Sequence, residues 1–358
     1  MTLDPTLIRA QFPALASGAI FFDNPGGTQV PRRVVERMAD YLTRTNANHG
    51  GAFRTSVESD AMLHEAHAAM ADFLGAASPD EIIFGANMTT LTFALSRALG
   101  RWLAPGDEIV VTRLDHDGDI APWLLVAEDR GAVVKWVDIR EEDCTLDMAD
   151  FEAQISDRTK IVAVGYASNA VGTINDVKTI VEMAHAAGAL AFVDAVQYAP
   201  HGPTDVRALD CDFLACSAYK FFGPHVGVMY GKRDLLDRLP AYKVRPAENT
   251  PPGKFETGTQ NHEGIAGTLG ALEYIAWVGE TFGAKSQTPN PKSRRQETLM
   301  RGMTAIREYE KQLGARLIAG LRTIPGLKIW GITDPARYSH RVPTVSFTLD
   351  GWHPRQIA

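Results

Sequence analysis

Short apolar runs that resemble buried strands alternate with helical patterns between residues 81 and 230 of this 358-residue chain. Alternation of this kind predicts a parallel sheet whose strands are joined by right-handed helical crossovers. In such a sheet the carboxyl ends of the strands meet at one edge, where ligands bind. We therefore expect an α/β protein whose chemistry is carried by the turns that follow its strands.

The composition excludes several classes of protein. Hydrophobic residues make up 45% of the chain and charged residues 22%, as in a globular protein long enough for a large and a smaller domain. The net charge of −7 argues against a surface for nucleic acid or anionic membranes. No apolar run approaches the ~18 residues that a membrane helix needs, and the first residues do not resemble an export signal. We expect a cytoplasmic protein with no nucleic-acid and no membrane partner.

Lys220 is the most informative single residue. It lies in the stretch Ser217–Pro224, directly after the apolar run Cys211–Cys216. Lysine is rarely buried without a partner, and partial burial lowers the pKa of its amine and makes it a nucleophile. Such a lysine can form a Schiff base with an aldehyde cofactor. Taken alone, Lys220 is equally well explained as a surface lysine at the end of a strand.

Asp194 strengthens the cofactor interpretation. It ends the apolar run that begins at Leu190, at the place where ligands sit in open α/β sheets. Enzymes that use pyridoxal phosphate need an acid near the pyridine nitrogen, because the protonated ring is the electron sink. An N-cap or turn aspartate is the plain alternative. A strand that ends in Asp, followed by a strand that ends just before Lys, is much more specific than either feature alone.

A third strand end offers an anion site. Glu81–Phe84 is predicted to be a strand and Leu91–Leu103 a helix, with the small polar turn Gly85–Thr90 between them. Free backbone N–H groups and the helix dipole favour a phosphate at such a helix start. The hydroxyl of Thr89 could add a hydrogen bond, although Thr89 is also typical of a simple N-cap. The turn carries neither of the glycine motifs of nucleotide-binding folds.

Two more turns carry polar side chains. The turn Asp115–Asp119 follows the predicted strand Glu108–Thr112 and lacks the later glutamate of a calcium loop, so we predict no metal site. Asn169 follows the predicted strand Lys160–Tyr166, at a position where asparagine is also common in plain turns. Five separate segments would thus offer partners to one ligand at one edge of the sheet.

The motif Val193-Asp194-x-x-Gln197, followed by Ser217-x-x-Lys220, resembles the fold-type I, class-V aminotransferase superfamily of pyridoxal phosphate enzymes. Within it the chain is most similar to cysteine desulfurases of the SufS and NifS type, from about Phe21 to Phe347. The resemblance implies a large domain with a mainly parallel seven-stranded sheet between helices, and a smaller α+β C-terminal domain that is incomplete in this sequence. The implied ranges are an N-terminal segment 1–20, a large domain 21–282 and the start of the small domain 283–358.

The resemblance also implies which residues bind the cofactor. They are Met88, Thr89, Ser217 and Tyr219 near the phosphate, Asn169 and Gln197 at the phenolic oxygen, Asp194 at the pyridine nitrogen, His116 over the ring, Lys220 at the aldehyde, and Thr259. Of these, Lys220, Asp194 and His116 are the expected catalytic residues, and His116 is expected to assist proton transfer. Thr259 belongs to Phe255–Asn261, which resembles a family motif whose threonine reaches the phosphate of the other subunit. A homodimer is therefore implied.

The reaction is less well defined than the cofactor. Tyr219 stands where the desulfurases usually have histidine, and none of the three cysteines matches their persulfide-forming cysteine. In that family this cysteine, and the arginine that grips the substrate carboxylate, lie further along the C-terminal domain. We expect cleavage of the C–S bond of cysteine or a related amino acid through a Schiff base on Lys220, giving alanine and sulfur for an acceptor protein. A C–S lyase, a selenocysteine lyase or an epimerase of the same superfamily stays open, while the complete cofactor set disfavours a non-catalytic protein.

Overall fold

The computed structural model describes residues 3–284 and 293–358. The strands are β1 (Ile82–Gly85), β2 (Glu108–Thr112), β3 (Val133–Val137), β4 (Ile139–Arg140), β5 (Thr145–Leu146), β6 (Thr159–Gly165), β7 (Leu190–Asp194), β8 (Phe213–Ser217), β9 (Gly227–Gly231), β10 (Leu327–Trp330) and β11 (Ser346–Leu349). The helices are α1 (Pro5–Arg9), α2 (Arg32–Asp40), α3 (Arg54–Leu74), α4 (Met88–Leu99), α5 (Ala121–Arg130), α6 (Met148–Gln154), α7 (Val177–Ala186), α8 (Val206–Leu209), α9 (Arg233–Arg238), α10 (His262–Thr281), α11 (Arg294–Leu321) and α12 (Pro354–Ile357).

Within the described residues, seven strands form the central sheet in the order β1-β9-β8-β7-β6-β2-β3. Six of these strands run in one direction, and β9 is antiparallel to both of its neighbours. The mainly parallel seven-stranded sheet predicted from the sequence is confirmed. The parallel direction expected for the strands up to residue 230 is wrong for β9, because the short turn between β8 and β9 leaves no room for the crossover that a parallel strand needs.

Alternating side chains of the sheet pack into two hydrophobic layers. Along β2, Val110 packs into the layer formed with α3, α7 and α10, while Ile109 and Val111 pack into the layer formed with α4 and α5. In this second layer Trp123 of α5 is fully buried, and its ring centroid lies 5.3 Å from that of Phe192 in β7. Burial of both faces explains why the strands are recognisable in the sequence as continuous apolar runs.

The parallel arrangement collects five turns at the carboxyl edge of the sheet. The strands β1, β2, β6, β7 and β8 all end at this edge, and one of the polar turns found in the sequence follows each of them. The helix after β1 begins at Met88 rather than at Leu91, because the Asn87 side chain accepts a hydrogen bond of 2.8 Å from the Thr90 N–H. Asn87 is therefore the N-cap, and Thr89 lies inside the first turn of α4.

The chain after α10 adds a smaller unit, in which α11 leads to the antiparallel pair β10–β11. The segment before β11 returns to the loop that follows β6, where the Val342 N–H donates to the Gly172 carbonyl at 2.8 Å and the Arg341 guanidinium donates to the Val171 carbonyl. Most of the boundary predicted at 283–293 lies outside the described residues. In the part of the chain that the structure describes, no helix is both long and apolar enough to cross a membrane.

Helices α10 and α11 cross at two glycines. A Cβ atom on Gly279 would lie 2.0 Å from the carbonyl oxygen of Thr298, and one on Gly302 would lie 2.2 Å from the carbonyl oxygen of Ile275. Both separations are far shorter than a van der Waals contact, so only glycine lets the two backbones approach this closely. At this crossing α11, the first helix of the smaller unit, packs directly against α10.

Replacing Gly302 by alanine is expected to destabilise the protein by roughly 1–3 kcal/mol, because the added methyl group forces α10 and α11 apart. Gly314→Ala in the same helix is the matched control, since its Cβ would meet Pro343 at an ordinary contact distance of 3.8 Å. Better helix propensity should make the control more stable by up to about 1 kcal/mol. Thermal unfolding measures both effects, and equal effects would contradict the close crossing.

Candidate active site

A cleft opens at the carboxyl edge of the sheet, where ligands bind in folds of this kind. Nine of the ten predicted cofactor residues line the cleft, namely Met88, Thr89, His116, Asn169, Asp194, Gln197, Ser217, Tyr219 and Lys220. The tenth, Thr259, is exposed and is not part of this lining. The fold thus brings together side chains from five separate turns, as the parallel topology predicts.

Lys220 lies in a short 3₁₀ turn after β8 and is 8% exposed. Burial lowers the pKa of its amine, although the charges of Asp194 and Asp23 oppose this shift. Its Nζ donates a hydrogen bond to the Pro25 carbonyl and lies 5.0 Å from the centroid of the Tyr219 ring. The amine is therefore held in the cleft by a neutral carbonyl, a setting in which it can lose its proton and act as a nucleophile.

The loop that contains Pro25 is hydrogen-bonded to the turn that contains Lys220. Thr28 donates to the Tyr219 carbonyl from its N–H at 3.0 Å and from its hydroxyl at 3.1 Å, and it accepts from the Phe222 N–H at 2.9 Å. Gly27 has a φ of 147°, and a Cβ there would lie 3.1 Å from the Tyr219 ring. The Asn-Pro-Gly-Gly run in the sequence indicates a tight turn here, but no pattern indicates its contact with the lysine.

Asp194 ends β7 and is 6% exposed. Its Oδ1 accepts a hydrogen bond of 2.8 Å from the Val196 N–H. Burial raises the pKa of this carboxyl to about 6, while the hydrogen bond from Val196 and the charges of His116 and Lys220 act in the opposite direction. The carboxyl can therefore hold or share a proton close to neutral pH, as an acid beside a pyridine nitrogen must.

A second carboxyl group, which the sequence did not indicate, lies beside Asp194. Asp115 Oδ1 accepts a hydrogen bond of 2.8 Å from the Gly165 N–H, and its Oδ2 is buried with no hydrogen-bond partner among the described residues. Gly165 pairs with Asp194 in the β6–β7 ladder, and a Cβ on Gly165 would lie 2.6 Å from Asp115 Oδ1. Because Gly165 has no Cβ, there is space for the Asp115 carboxyl at this position. Burial, and to a smaller extent the charge of Asp194, raises the pKa of Asp115 to about 7.

The rest of this turn is ordered by hydrogen bonds within the protein. His116 Nδ1 accepts from the Gly118 N–H at 2.9 Å, so the proton of the neutral ring is on Nε2. A Cβ on Gly118 would lie 2.8 Å from Thr89 Oγ1, which shows how closely this turn packs on α4. Asp119 is buried and accepts from Trp123 Nε1–H at 3.1 Å, and burial raises the pKa of Asp119 well above its ordinary value. In the described ranges no group of side chains is arranged to hold a metal ion.

The start of α4 and the lysine turn together form a site suited to a phosphate. The Met88 N–H donates to Ser217 Oγ at 3.2 Å, so the helix start and the end of β8 are in contact. The Tyr219 ring stacks on His225 with 5.0 Å between centroids, and burial raises the pKa of the Tyr219 phenol. Hydroxyl groups beside the positive end of a helix dipole favour a doubly charged anion, and Thr89 adds one more hydroxyl.

Gln197 carries the clearest sign that the cleft takes a ligand. Its Nε2 donates to Thr344 Oγ1 at 2.9 Å, and its Oε1 is buried with no hydrogen-bond partner in the described residues. If the amide is turned over, the Thr344 hydroxyl donates to Oε1 and the NH₂ group is left free instead. Buried polar atoms in folded proteins are nearly always paired, so this atom calls for a partner. Asn169 lines the same cleft.

These residues fit the functional groups of pyridoxal phosphate. Lys220 offers an amine for the aldehyde, Asp194 an acid for the pyridine nitrogen, and Gln197 an unpaired polar atom for the phenolic oxygen. The helix start at Met88 offers a site for the phosphate. Thr259 is the exception, because it lies outside this cleft in its own chain.

Comparison with known proteins leads to the same class. The family described as aminotransferase class-V matches residues 20–289. An aminotransferase-like protein of Gibberella zeae is 35% identical over 98% of this chain and 83% of its own. A cysteine desulfurase of Dickeya dadantii is 32% identical over 97% of this chain and 82% of its own. The apo cysteine desulfurase of Thermococcus onnurineus superposes with a TM-score of 0.87 and 29% identity, over 100% of this chain and 86% of that one.

This chain belongs to the class-V aminotransferase family. Within that family it is a cysteine desulfurase-like enzyme of the pyridoxal phosphate-dependent kind. The superfamily, the fold class and the enzyme class predicted from the sequence are confirmed. The roles of the individual site residues stay predictions.

Asp115 makes the stability of the cofactor-free protein depend on pH. In the folded protein its pKa is about 7, whereas unfolded aspartates have pKa values near ~3.9. The stability that the bound proton contributes is complete below pH ~4 and is lost as the pH rises through about 7. We expect the free energy of unfolding to fall in this window by about 1.4 kcal/mol per pH unit for each such proton.

Asp115→Asn keeps the acceptor for the Gly165 N–H but cannot titrate, so its free energy of unfolding should fall less steeply between about pH 4 and about pH 7. Denaturant unfolding of the cofactor-free protein across this range measures the two slopes. Asp117→Asn, at an exposed position of the same turn, controls for the loss of one charge. Equal slopes for the wild type and Asp115→Asn would show that another group titrates.

Proposed function

We propose that this chain is a pyridoxal phosphate enzyme that cleaves the C–S bond of cysteine or a related amino acid and passes the sulfur to an acceptor thiol, leaving alanine. One observation carries the proposal. The same cleft holds a buried base, Lys220, whose pKa is lowered, and a buried acid, Asp194, whose pKa is raised to about 6. Opposite shifts of an acid and a base at one site are typical of catalytic groups.

Each functional group of the cofactor has a proposed partner. The partners are the Met88 N–H, Thr89, Ser217 and Tyr219 for the phosphate, Asn169 and Gln197 for the phenolic oxygen, Asp194 for the pyridine nitrogen, and His116 for the ring face. When bound, pyridoxal phosphate supplies an aldehyde for the Lys220 amine and an electron-withdrawing ring.

Lys220 and His116 are the residues proposed to move protons. The lowered pKa of Lys220 lets Nζ accept the proton from the α-carbon of the substrate and later return it. His116 in its neutral form carries a proton on Nε2, which is available for a leaving group. The Asp194 carboxylate would hold a proton on the ring nitrogen, so that the ring keeps drawing electrons from the substrate.

The sulfur acceptor is proposed to be a thiol other than the three cysteines of this sequence. Cys144, Cys211 and Cys216 are all buried. Burial also raises the pKa of the Cys211 and Cys216 thiols, which opposes formation of the nucleophilic thiolate. An acceptor of sulfur must be an accessible thiolate, so these three cysteines do not suit the role, and we propose that the sulfur passes to a thiol outside this sequence, such as that of a sulfur-acceptor protein.

Tyr219 favours a second candidate, a C–S lyase of the same superfamily. Its phenol has a raised pKa, so it does not supply a proton near neutral pH as a histidine does. A lyase needs no acceptor thiol, because it eliminates sulfide and leaves pyruvate and ammonia. The two candidates share the cofactor and Lys220, and they differ in their products.

Product analysis with L-cysteine, pyridoxal phosphate and excess dithiothreitol distinguishes the two. Alanine with sulfide identifies the desulfurase, whereas pyruvate, ammonia and sulfide identify the lyase. Lys220→Ala should reduce either set of products to background and remove the visible absorption band of the lysine-linked cofactor, because it deletes the amine. A band that survives in Lys220→Ala would contradict the assignment of the lysine, and neither set of products from the wild type would contradict the substrate class.

We also propose a homodimer in which Thr259 serves the site of the other subunit. In its own chain Thr259 is exposed and lies outside the cleft lining, so a second copy is where its hydroxyl would find a phosphate. Exposed apolar side chains such as Ile20, Phe22 and Phe53 are surface that a second copy would cover. The domain division at residue 283 and the cytoplasmic location stay predictions from the sequence.

Mixed dimers of one Lys220→Ala chain and one Thr259→Ala chain test the shared site. Only a chain with Lys220 gives the visible band, so the band reports the site of the Thr259→Ala chain. If Thr259 acts across the interface, that site receives an intact threonine and binds the cofactor as the wild type does. The Thr259→Ala homodimer should bind about tenfold more weakly, the typical effect of one lost hydrogen bond to a charged group. Weak binding in the mixed dimer would place Thr259 in its own subunit's site.

A further inference from the structure

The exposed loop Thr257–Thr259 lies between two polar anchors, the partly buried Glu256 and the buried His262. On its C-terminal side His262 is 5% exposed and its Nδ1 lies 2.8 Å from the Tyr41 hydroxyl. On its N-terminal side Glu256 points into the protein. Thr257, Gly258 and Thr259 are all exposed, and a Cβ on Gly258 would have no neighbour within 4 Å. A loop whose ends are held by hydrogen bonds and whose middle is exposed to solvent can contact another molecule.

The Glu256 carboxylate joins this loop to two other elements. Its Oε1 accepts a hydrogen bond of 2.7 Å from the Phe84 N–H and one of 2.9 Å from His67 Nε2. Phe84 belongs to β1, which is at the edge of the sheet, so Glu256 satisfies an outward-facing backbone donor. His67 belongs to α3 and is 7% exposed.

His67 is the positively charged partner of the Glu256 carboxylate. Its Nδ1 lies 2.7 Å from the Leu63 carbonyl, which can only accept, so Nδ1 carries a proton. Burial, the largest single effect, lowers the pKa of His67, but the hydrogen bond to Glu256 and the Glu256 charge outweigh it and the pKa is raised overall. The ring therefore donates from both nitrogens, and its bond to Glu256 is a charge-assisted one.

We propose that His67 is a positioning residue that acts through Glu256 to hold the Thr257–Thr259 loop where Thr259 can reach the cofactor phosphate of a second copy of this chain. The inference rests on the proposed function, since it takes the shared site as given. Two residues separate Glu256 from Thr259, so the position of the carboxylate limits that of the hydroxyl. His67 itself is not part of the lining of the Lys220 cleft.

The first measurement is the affinity of His67→Gln for pyridoxal phosphate, read from the visible band as cofactor-free protein is titrated. Glutamine keeps a neutral donor but loses the charge, and we expect affinity to fall about tenfold. Glu256→Gln removes the charge from the other partner and should cause a similar loss. His64→Gln, at an exposed position of the same helix, should bind as the wild type does. Wild-type affinity in His67→Gln would overturn the inference.

A mixed dimer of one His67→Gln chain and one Lys220→Ala chain separates positioning from general damage. The site that gives the band then receives Thr259 from the chain in which His67 is intact, and wild-type affinity is expected. Affinity that stays about tenfold weaker means that His67 acts on the site of its own chain, and this overturns the inference. Should His67→Gln fail to fold, Glu256→Gln in the same mixed dimer tests the same contact.

The control for the shared site is the mixed dimer of Thr259→Ala and Lys220→Ala chains. Recovery in that dimer, together with continued weak binding in the His67→Gln dimer, rejects only the role of His67. Failure of both dimers to recover rejects the shared site itself, and the positioning role with it.

Discussion

Burial of Lys220 and Asp194 at the carboxyl edge of a parallel sheet is the constraint on which the site depends. Removing either charge from water is unfavourable, and it shifts both pKa values toward neutrality. Both side chains are hydrogen-bonded to neutral backbone groups. The Lys220 amine donates to the Pro25 carbonyl, and the Asp194 carboxyl accepts from the Val196 N–H. Helices on both faces of the sheet make this burial possible. The same burial that costs stability prepares the acid and the base for chemistry.

Glycines allow the turns around this pair to pack on one another. Gly165 admits the Asp115 carboxyl beside Asp194, and Gly118 lets its turn approach Thr89. In each case an added Cβ would lie within 3.0 Å of a neighbouring atom. A cleft assembled from loops is therefore held with the precision of a packed core, which a catalytic site requires.

A segment outside the central sheet supports residues that line the cleft. Thr344 of the smaller unit bonds Gln197, and its neighbour Val342 bonds the turn that carries Asn169. A Cβ on Gly172 in that turn would lie 2.6 Å from the Thr344 carbonyl oxygen, so the two segments are in close contact. The residues proposed for the phenolic oxygen are thus positioned by a part of the chain outside the central sheet.

Much of the fold and the centre of the site could be predicted from the sequence, because local patterns carry them. Apolar runs followed by polar turns indicated the parallel strands, and the resemblance that the Asp194 and Lys220 motifs carry implied the cofactor class and nine of the residues that line the cleft. The strands and their polar turns depend on side-chain periodicity and on residue type next to a strand end, both of which are visible over a few neighbouring positions.

Only the tertiary structure decided the contact of Pro25 with Lys220 and the place of Asp115. The Pro25 and Lys220 partners are 195 residues apart, and those of the Asp115–Gly165 bond are 50 residues apart. The glycine that admits Asp115 looks like any other strand residue until the neighbouring turn packs against it. Local sequence patterns determined which groups the chain brings to the edge of its sheet, and long-range packing decided which of them touch, because contact depends on the space that distant segments leave for one another.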